Sequence, residues 1–326
     1  MYKIKIISSK EVRKLFPIKH AVSVIESAFA EFYDEKSIMP SKVYLDLPQY
    51  QGDFRAMPAY SEKANLAGLK WVNSHDNSRF KDLPSVMGML IVNDPKTGEP
   101  LAIMDGTSIT NIRTGAAGAV AIKYLSSPQS KKVTFVGAGQ QAVFQLLGLV
   151  EVRDIQAITI VDPSKTAQKN FINQAKHLQL PVTVSDSIKD AIKDADIIIT
   201  STPSRKPVIK KSWLKPNAHI NAIGADAKGK QELESSILKE AAVVVDDIEQ
   251  AIHSGEINVA MASKELKKSD IAASLGEVVS KLLPENDMQE QLTVFDSTGL
   301  AIQDIAAAAW ILEQANRTSM GKKIRL

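Results

Sequence analysis

From residue 131 to residue 295 the chain repeats one pattern: a short run apolar on both faces, a polar turn, then a stretch with helical period. The runs fall at residues 133–136, 157–161, 182–184, 197–200, 219–223, 243–245 and 293–295. Strands buried on both faces and separated by helices predict a parallel, doubly wound α/β domain of the Rossmann type. Upstream the rhythm differs. A strand at 3–7, a capping box from Ser8 to Glu11 and an amphipathic helix at 18–33 precede four strand-like runs at 42–47, 53–57, 67–73 and 86–92. The last passes through the turn-rich segment 94–100 into a strand at 101–104, a hairpin with a long loop. Strands in succession imply an antiparallel or mixed sheet, hence an α+β domain. The Ala-rich stretch 109–125 reads as a helix linking the two, and the helical stretch 303–315 as one that returns to the first domain. The expected organisation is residues 1–117 with 300–326 as one domain and 118–299 as the other.

The totals agree with two domains. A single core stops growing at roughly 250–300 residues, and the chain has 326, of which 44% are hydrophobic and 24% charged. The formal charge of +3 is dispersed, without a basic block, so nucleic acid is not an expected partner. There is no cysteine, which excludes disulfides, thiolate catalysis and cysteine-ligated metal. The five histidines, His20, His75, His177, His219 and His253, show no metal-ligand spacing, so no metal is expected. His75 reads as a surface loop residue. Residues 1–16 lack the apolar core of a signal sequence, and the apolar run 305–312 is far short of a membrane span. A cytoplasmic protein without membrane contact is the expectation.

Chemistry enters at Gly137-Ala138-Gly139-Gln140-Gln141-Ala142, between a predicted strand and a predicted helix. In this G-x-G-x-x-A pattern Gly137 permits the tight turn, Gly139 lets backbone approach a pyrophosphate, and Ala142 allows close helix packing. The helix N-terminus adds free N–H groups and a positive dipole end. Asp162 ends the next strand, where a carboxylate can accept from the ribose hydroxyls of NAD and repel the extra phosphate of NADP. Lys165 nearby leaves room for dual use, and a helix cap shared with Ser164 is the alternative reading of Asp162.

Three cations, Lys42, Arg55 and Lys70, sit inside or beside strand-like runs, and Arg113 lies near the start of the linking helix. Taken singly, Lys42, Arg55 and Lys70 each read as a charge on a solvated face, and Arg113 as a member of an ordinary surface ion pair. Together they read as a pocket for a substrate carboxylate. Asp226 lies past the carboxyl end of the 219–223 strand, in a Gly-rich turn where turn chemistry is the plain alternative.

The order of these motifs resembles the ornithine cyclodeaminase and mu-crystallin family, and within it the archaeal-type alanine dehydrogenases. The carriers are Met39-Pro40-Ser41-Lys42, Arg55-Ala56-Met57-Pro58, Gly68-Leu69-Lys70-Trp71-Val72-Asn73, Thr110-Asn111-Ile112-Arg113-Thr114-Gly115-Ala116, Gly137-Ala138-Gly139, Asn221-Ala222-Ile223-Gly224-Ala225-Asp226 and Phe295-Asp296-Ser297-Thr298-Gly299. The resemblance implies a homodimer joined through the sheets of its first domains, with NAD in the second domain and substrate in the cleft. It implies that Arg113 and Lys70 bind the carboxylate, that Lys42 supplies a further cation, and that Asp226 is the acid/base, with Lys70 a partner in proton transfer. Ser297 and Gly299 fall where the family touches the nicotinamide end, and Thr114 where it touches the phosphates. Arg55 departs from the cyclodeaminase pattern, which has a glutamate for the distal ammonium of ornithine. Repulsion from that cation points away from ornithine and lysine and toward a short neutral side chain, with an acidic one left open. The implied reaction is the reversible NAD-dependent deamination of L-alanine to pyruvate. Cyclodeamination, reduction of a cyclic imine such as pyrroline-2-carboxylate, and silent binding are its rivals.

Overall fold

The computed structural model describes residues 3–75, 80, 83–281 and 288–325. The chain forms two compact units: Met1–Arg113 with Leu300–Leu326, and Thr114–Gly299.

The first unit is built on a mixed sheet of β1 (Lys3–Ile7), β2 (Ser37–Ile38), β3 (Val43–Leu47), β4 (Gly52–Ser61), β5 (Leu66–His75), β6 (Val86–Asn93) and β7 (Pro100–Asp105), with a terminal strand Lys322–Arg325. Its order is terminal strand–β1–β7–β6–β5–β4–β2, with β3 also on β4. β1 runs parallel to β7, and β4 through β7 are antiparallel neighbours. β4 runs past Pro58, which the sequence pattern treats as its end. The proline is tolerated because β3 pairs only as far as Ala56 and β2 begins at Tyr60, so neither needs the missing N–H. His75 is the last residue of β5 rather than a loop residue; its ring meets Phe54 edge-on at 5.2 Å and Asn73 at 3.0 Å.

One face of this sheet is covered. Met57 and Ala59 on β4, Lys70 and Val72 on β5, and Leu90 and Val92 on β6 are buried there, against the helix Ala301–Arg317, on which the helix Ile18–Tyr33 packs. Lys5 fastens the C-terminal helix Ala301–Arg317 by donating to Ala315 O at 3.1 Å and Asn316 Oδ1 at 2.7 Å. The alternate residues face the other way. Val43, Ala56, Trp71 and Met89 form one cross-strand row. Of these, Val43, Trp71 and Met89 are exposed, together with Leu45 and Ile91. Phe54 stacks on Trp71 at 5.3 Å.

The second unit is an all-parallel sheet of β8 (Lys132–Val136), β9 (Ala157–Val161), β10 (Val182–Val184), β11 (Ile197–Thr200), β12 (His219–Ala222), β13 (Ala242–Val245), β14 (Ile271–Ser274) and β15 (Thr293–Asp296). The order is β10-β9-β8-β11-β12-β15-β13-β14. The chain leaves β8 toward β9 on one side and returns to β11 on the other, so the strand order reverses between β8 and β11. Separate apolar cores lie on the two faces of the sheet. β14 was not foreseen, because Ile-Ala-Ala-Ser carries little β-branched signal.

The linking helix, Gly106–Leu125, starts three residues before its expected position because Asp105 Oδ1 accepts from Ser108 N at 2.9 Å and caps it. Its second half is held to the second unit through its carbonyls. Gln145 Nε2 donates to Thr114 O at 2.8 Å, Asn221 Nδ2 to Gly118 O at 3.1 Å, and Arg153 Nη2 to Ile122 O at 2.8 Å. Asn221 is held in turn by fully buried His219, whose other nitrogen meets Thr293 Oγ1. Burial lowers the His219 pKa to about 4, so the ring is neutral at physiological pH. Among the described residues no helix is long and apolar enough to cross a membrane.

Candidate functional site

Two groups of the expected residues converge, one in each unit. In the first unit Lys70 lies between Met57 on β4 and Leu90 on β6, on the covered face. An ammonium among apolar neighbours needs a partner, and the first turn of the C-terminal helix supplies one: Lys70 Nζ lies 2.7 Å from Asp304 Oδ2. Arg113 Nε reaches the other carboxylate oxygen at 3.3 Å, and its Nη1 donates to Gln303 Oε1 at 3.1 Å. Lys70 also donates to Thr110 Oγ1 at 3.3 Å, and that hydroxyl donates to Gly106 O. Lys70, Arg113 and Asp304 are 1%, 5% and 0% exposed, so the solvated-face reading of Lys70 and the surface-pair reading of Arg113 fail. The described bonds use two of the five N–H donors of Arg113.

Burial, then the Arg113 charge and, least, Lys42, half-buried just before β3, pull the Lys70 pKa down to about 7, against the upward pull of Asp304. Lys70 therefore changes charge near neutrality. One carboxylate faces two cations in a place shielded from water. That excess of positive charge is costly until an anion joins it.

Arg55 shares the face of Lys70 but is not a lone cation. Asp53 accepts from its Nε at 2.7 Å and its Nη2 at 3.0 Å, and the Tyr44 ring lies 5.4 Å from its guanidinium carbon. The repulsion expected from a bare charge at Arg55 is thus corrected to that of an ion pair. Residues two apart on a strand share a face, so Asp53 was within reach of a sequence reading.

The second group lies along the carboxyl edge of the parallel sheet, where the strand order reverses. Gly137 has φ +97°, a conformation that favours glycine, and donates its N–H to Val161 O at 2.9 Å. Gly139 begins the helix Gln140–Leu149 without a side-chain cap, and nothing lies within 4 Å of the place a Cβ would take there. A turn with open space over it, ending on uncapped helix N–H groups, suits a pyrophosphate. Asp162 accepts from Ala138 N at 2.7 Å through one oxygen and from Ser164 N at 2.7 Å through the other. Each carboxylate oxygen has about two acceptor positions, so the shared cap and ribose recognition are compatible. The residues present fit a dinucleotide.

Further along this edge, Asp226 follows β12 and Ser297 follows β15, and Ser297 N donates to Ala222 O at 3.1 Å. Asp226 pairs with Lys230 at 2.5 Å. The Ser297-Thr298-Gly299 turn, with Gly299 at φ +76°, is held by buried Asp246, which accepts from the backbone N–H of Thr298 at 2.7 Å and of Gly299 at 2.6 Å. Glu232 ties the base of the Asp226 loop, accepting from Thr200 Oγ1, Thr202 Oγ1 and Gly224 N. Burial raises the Glu232 pKa. Thr114 is buried and gives its carbonyl to Gln145. The sequence reading missed Thr110, Gln303 and Asp304 in the first group and Lys230, Glu232 and Asp246 in the second. Only Asp246 carried a signal, an acid directly after an apolar strand run.

Comparison with known proteins places these features in a lineage. The sequence pattern of the Ornithine cyclodeaminase/mu-crystallin family matches residues 3–319. The alanine dehydrogenase of Archaeoglobus fulgidus is 45% identical over 98% of both chains. A solved archaeal alanine dehydrogenase dimer with bound NAD superposes with a TM-score of 0.94 at 44% identity, covering all of both chains. The Thermococcus litoralis Δ1-pyrroline-2-carboxylate reductase, solved with NADH and L-proline, gives 0.95 at 33% identity, covering 98% of this chain and 100% of that one. By the match along nearly its whole length, the chain belongs to the ornithine cyclodeaminase/mu-crystallin family.

Proposed function

We propose that the protein is an NAD-dependent amino-acid dehydrogenase that converts L-alanine to pyruvate and ammonia and runs the reverse reaction. The observation that carries this reading is the buried set in which one carboxylate, Asp304, meets two cations, Lys70 and Arg113. An α-carboxylate supplies the missing negative charge and the two-oxygen shape that a guanidinium binds. The likeness to the A. fulgidus enzyme supports alanine as the substrate.

In this reading Gly137, Ala138, Gly139, Gln140 and Gln141 hold the pyrophosphate of NAD, with Thr114 also at the phosphates. Asp162 takes the adenosine ribose, and Ser297 and Gly299 the nicotinamide end. Bound NAD supplies the hydride acceptor. Lys70 and Arg113, with Lys42 adding positive charge, hold the substrate carboxylate and so fix the direction of its Cα hydrogen. Asp226 accepts a proton from the substrate ammonium and passes it to solvent, and is then free to accept one from the water that adds to the iminium carbon. Lys70, with its pKa near 7, exchanges a proton with that chemistry at working pH. A distal ammonium on the substrate would have to open the Asp53–Arg55 pair to find an acceptor, which favours a short neutral side chain.

Mixing the protein with NAD and L-alanine is expected to produce NADH, and the reverse reaction to need both pyruvate and ammonia. Reduction of pyrroline-2-carboxylate is the second reading, favoured by the superposition on the T. litoralis reductase. It predicts NADH consumption without ammonia. Absence of both activities sinks the assignment. Replacing Asp226 by Asn is expected to lower kcat by about 10²- to 10⁴-fold, the usual scale for acid–base catalysis, with NAD affinity unchanged in a binding titration.

We extend the proposal to assembly. The exposed row of Val43, Trp71 and Met89 is an apolar sheet face of the kind that pairs with a second copy. The Trp71→Lys variant is expected to run at the 35.5 kDa mass of one chain in light scattering, whereas the parent runs at twice that.

A further inference from the structure

We infer that Asp304 is a positioning residue: its carboxylate holds the Lys70 ammonium and the Arg113 guanidinium at fixed places on one face of the sheet, so that both address a single substrate carboxylate. The inference rests on the function proposed above and names the residue on which its binding site is built.

Three observations support it. Each oxygen of Asp304 serves a different cation, Oδ2 taking Lys70 at 2.7 Å and Oδ1 taking Arg113 at 3.3 Å. The side chain thus spans the two instead of neutralising one. Gln303, the preceding residue of the same helix turn, is fixed by Leu300 N at 3.3 Å and accepts from Arg113 Nη1. Two consecutive side chains of one turn therefore set the plane of the guanidinium. Finally, Asp304 lies in the first turn of the helix Ala301–Arg317, at the positive end of the helix dipole.

The charged groups acting on Lys70 come from several elements: Asp304 on the C-terminal helix, Arg113 on the linking helix and Lys42 before β3. Its neighbours on β4 and β6, Met57 and Leu90, are apolar. The Arg55–Asp53 pair lies one residue pair along on β4. Of these charges Asp304 is the one that favours the protonated lysine, while burial, Arg113 and Lys42 oppose it. Removing the Asp304 charge must therefore let Lys70 lose its proton at lower pH.

The experiment is a titration of Lys70 in lysine-labelled protein by NMR, its signal assigned by its disappearance in Lys70→Met. Asp304→Asn, which keeps the size and an acceptor oxygen, is expected to move the Lys70 midpoint downward by a unit or more. The KM for pyruvate is expected to rise at least tenfold, with NAD affinity within twofold of the parent. Asp304→Glu, which keeps the charge but displaces it, is expected to leave the midpoint near that of the parent while still lowering kcat/KM for alanine at least tenfold. It serves as the test if the Asn variant does not fold. An unmoved midpoint in Asp304→Asn, or parent-like kinetics in Asp304→Glu, overturns the inference. If the parent turns over neither alanine nor a cyclic imine, the functional reading fails, and the NMR midpoints still decide the role of Asp304.

Discussion

Substituting Arg113 by methionine is expected to lower kcat/KM for L-alanine by about 10³-fold, because losing one partner of a desolvated, hydrogen-bonded charge pair costs roughly 2–5 kcal/mol. The variant leaves Lys70 and Asp304 as a balanced pair, and the surplus positive charge that attracts a carboxylate is gone. Arg113→Lys restores the charge without the planar fork, so it is expected to recover only part of the loss. A second effect has the opposite sign to that of Asp304→Asn. Arg113 depresses the Lys70 pKa, and deleting it raises the midpoint above about 7. The limb of the pH–rate profile that reports Lys70 deprotonation then moves to higher pH. Initial rates of NADH formation across pH measure both effects, and a profile unchanged in height and position would remove Arg113 from the site.

The other large effect is expected at Gly137. At φ +97° any L side chain is strained, and a Cβ there would lie 2.8 Å from the carbonyl oxygen of Ser201, at the end of neighbouring β11. Valine adds a branch at that same atom. The backbone strain alone costs roughly 1–3 kcal/mol, and relieving the clash must shift the turn that carries Ala138 N, which Asp162 now holds. Gly137→Val is therefore expected to weaken NAD binding at least 100-fold in a calorimetric titration and to lower the melting temperature of the second unit. Retention of parent-like NAD affinity would show that the dinucleotide does not use this turn. Gly139→Ala meets open space instead, so its effect on the free protein's stability is expected to be small.

The parallel sheet was legible because its strands are apolar on both faces and separated by helical stretches, a pattern with few alternatives. β14 escaped because two of its four residues are alanine, and the end of β4 was misread because Pro58 is a breaker unless it falls where one edge of the strand is unpaired, which only the pairing reveals. Lys70 and Arg113 were legible as cations in apolar company. Their shared partner was not, since Asp304 sits in an Ala-rich helix where an acid in the first turn is ordinary, and its bond to Arg113 spans 191 residues of sequence. Arg55 was seen without Asp53, so a closed ion pair was taken for a bare charge.

The linking helix carries a constraint on spacing that no single residue announces. Within the second unit, the Thr114, Gly118 and Ile122 carbonyls clasped by Gln145, Asn221 and Arg153 ride on one helix. Inserting or deleting a residue between Thr114 and Gly118 would rotate the Thr114 carbonyl by ~100° and shift it by ~1.5 Å relative to the other two. Length in this stretch is therefore expected to be frozen even where the side chains vary.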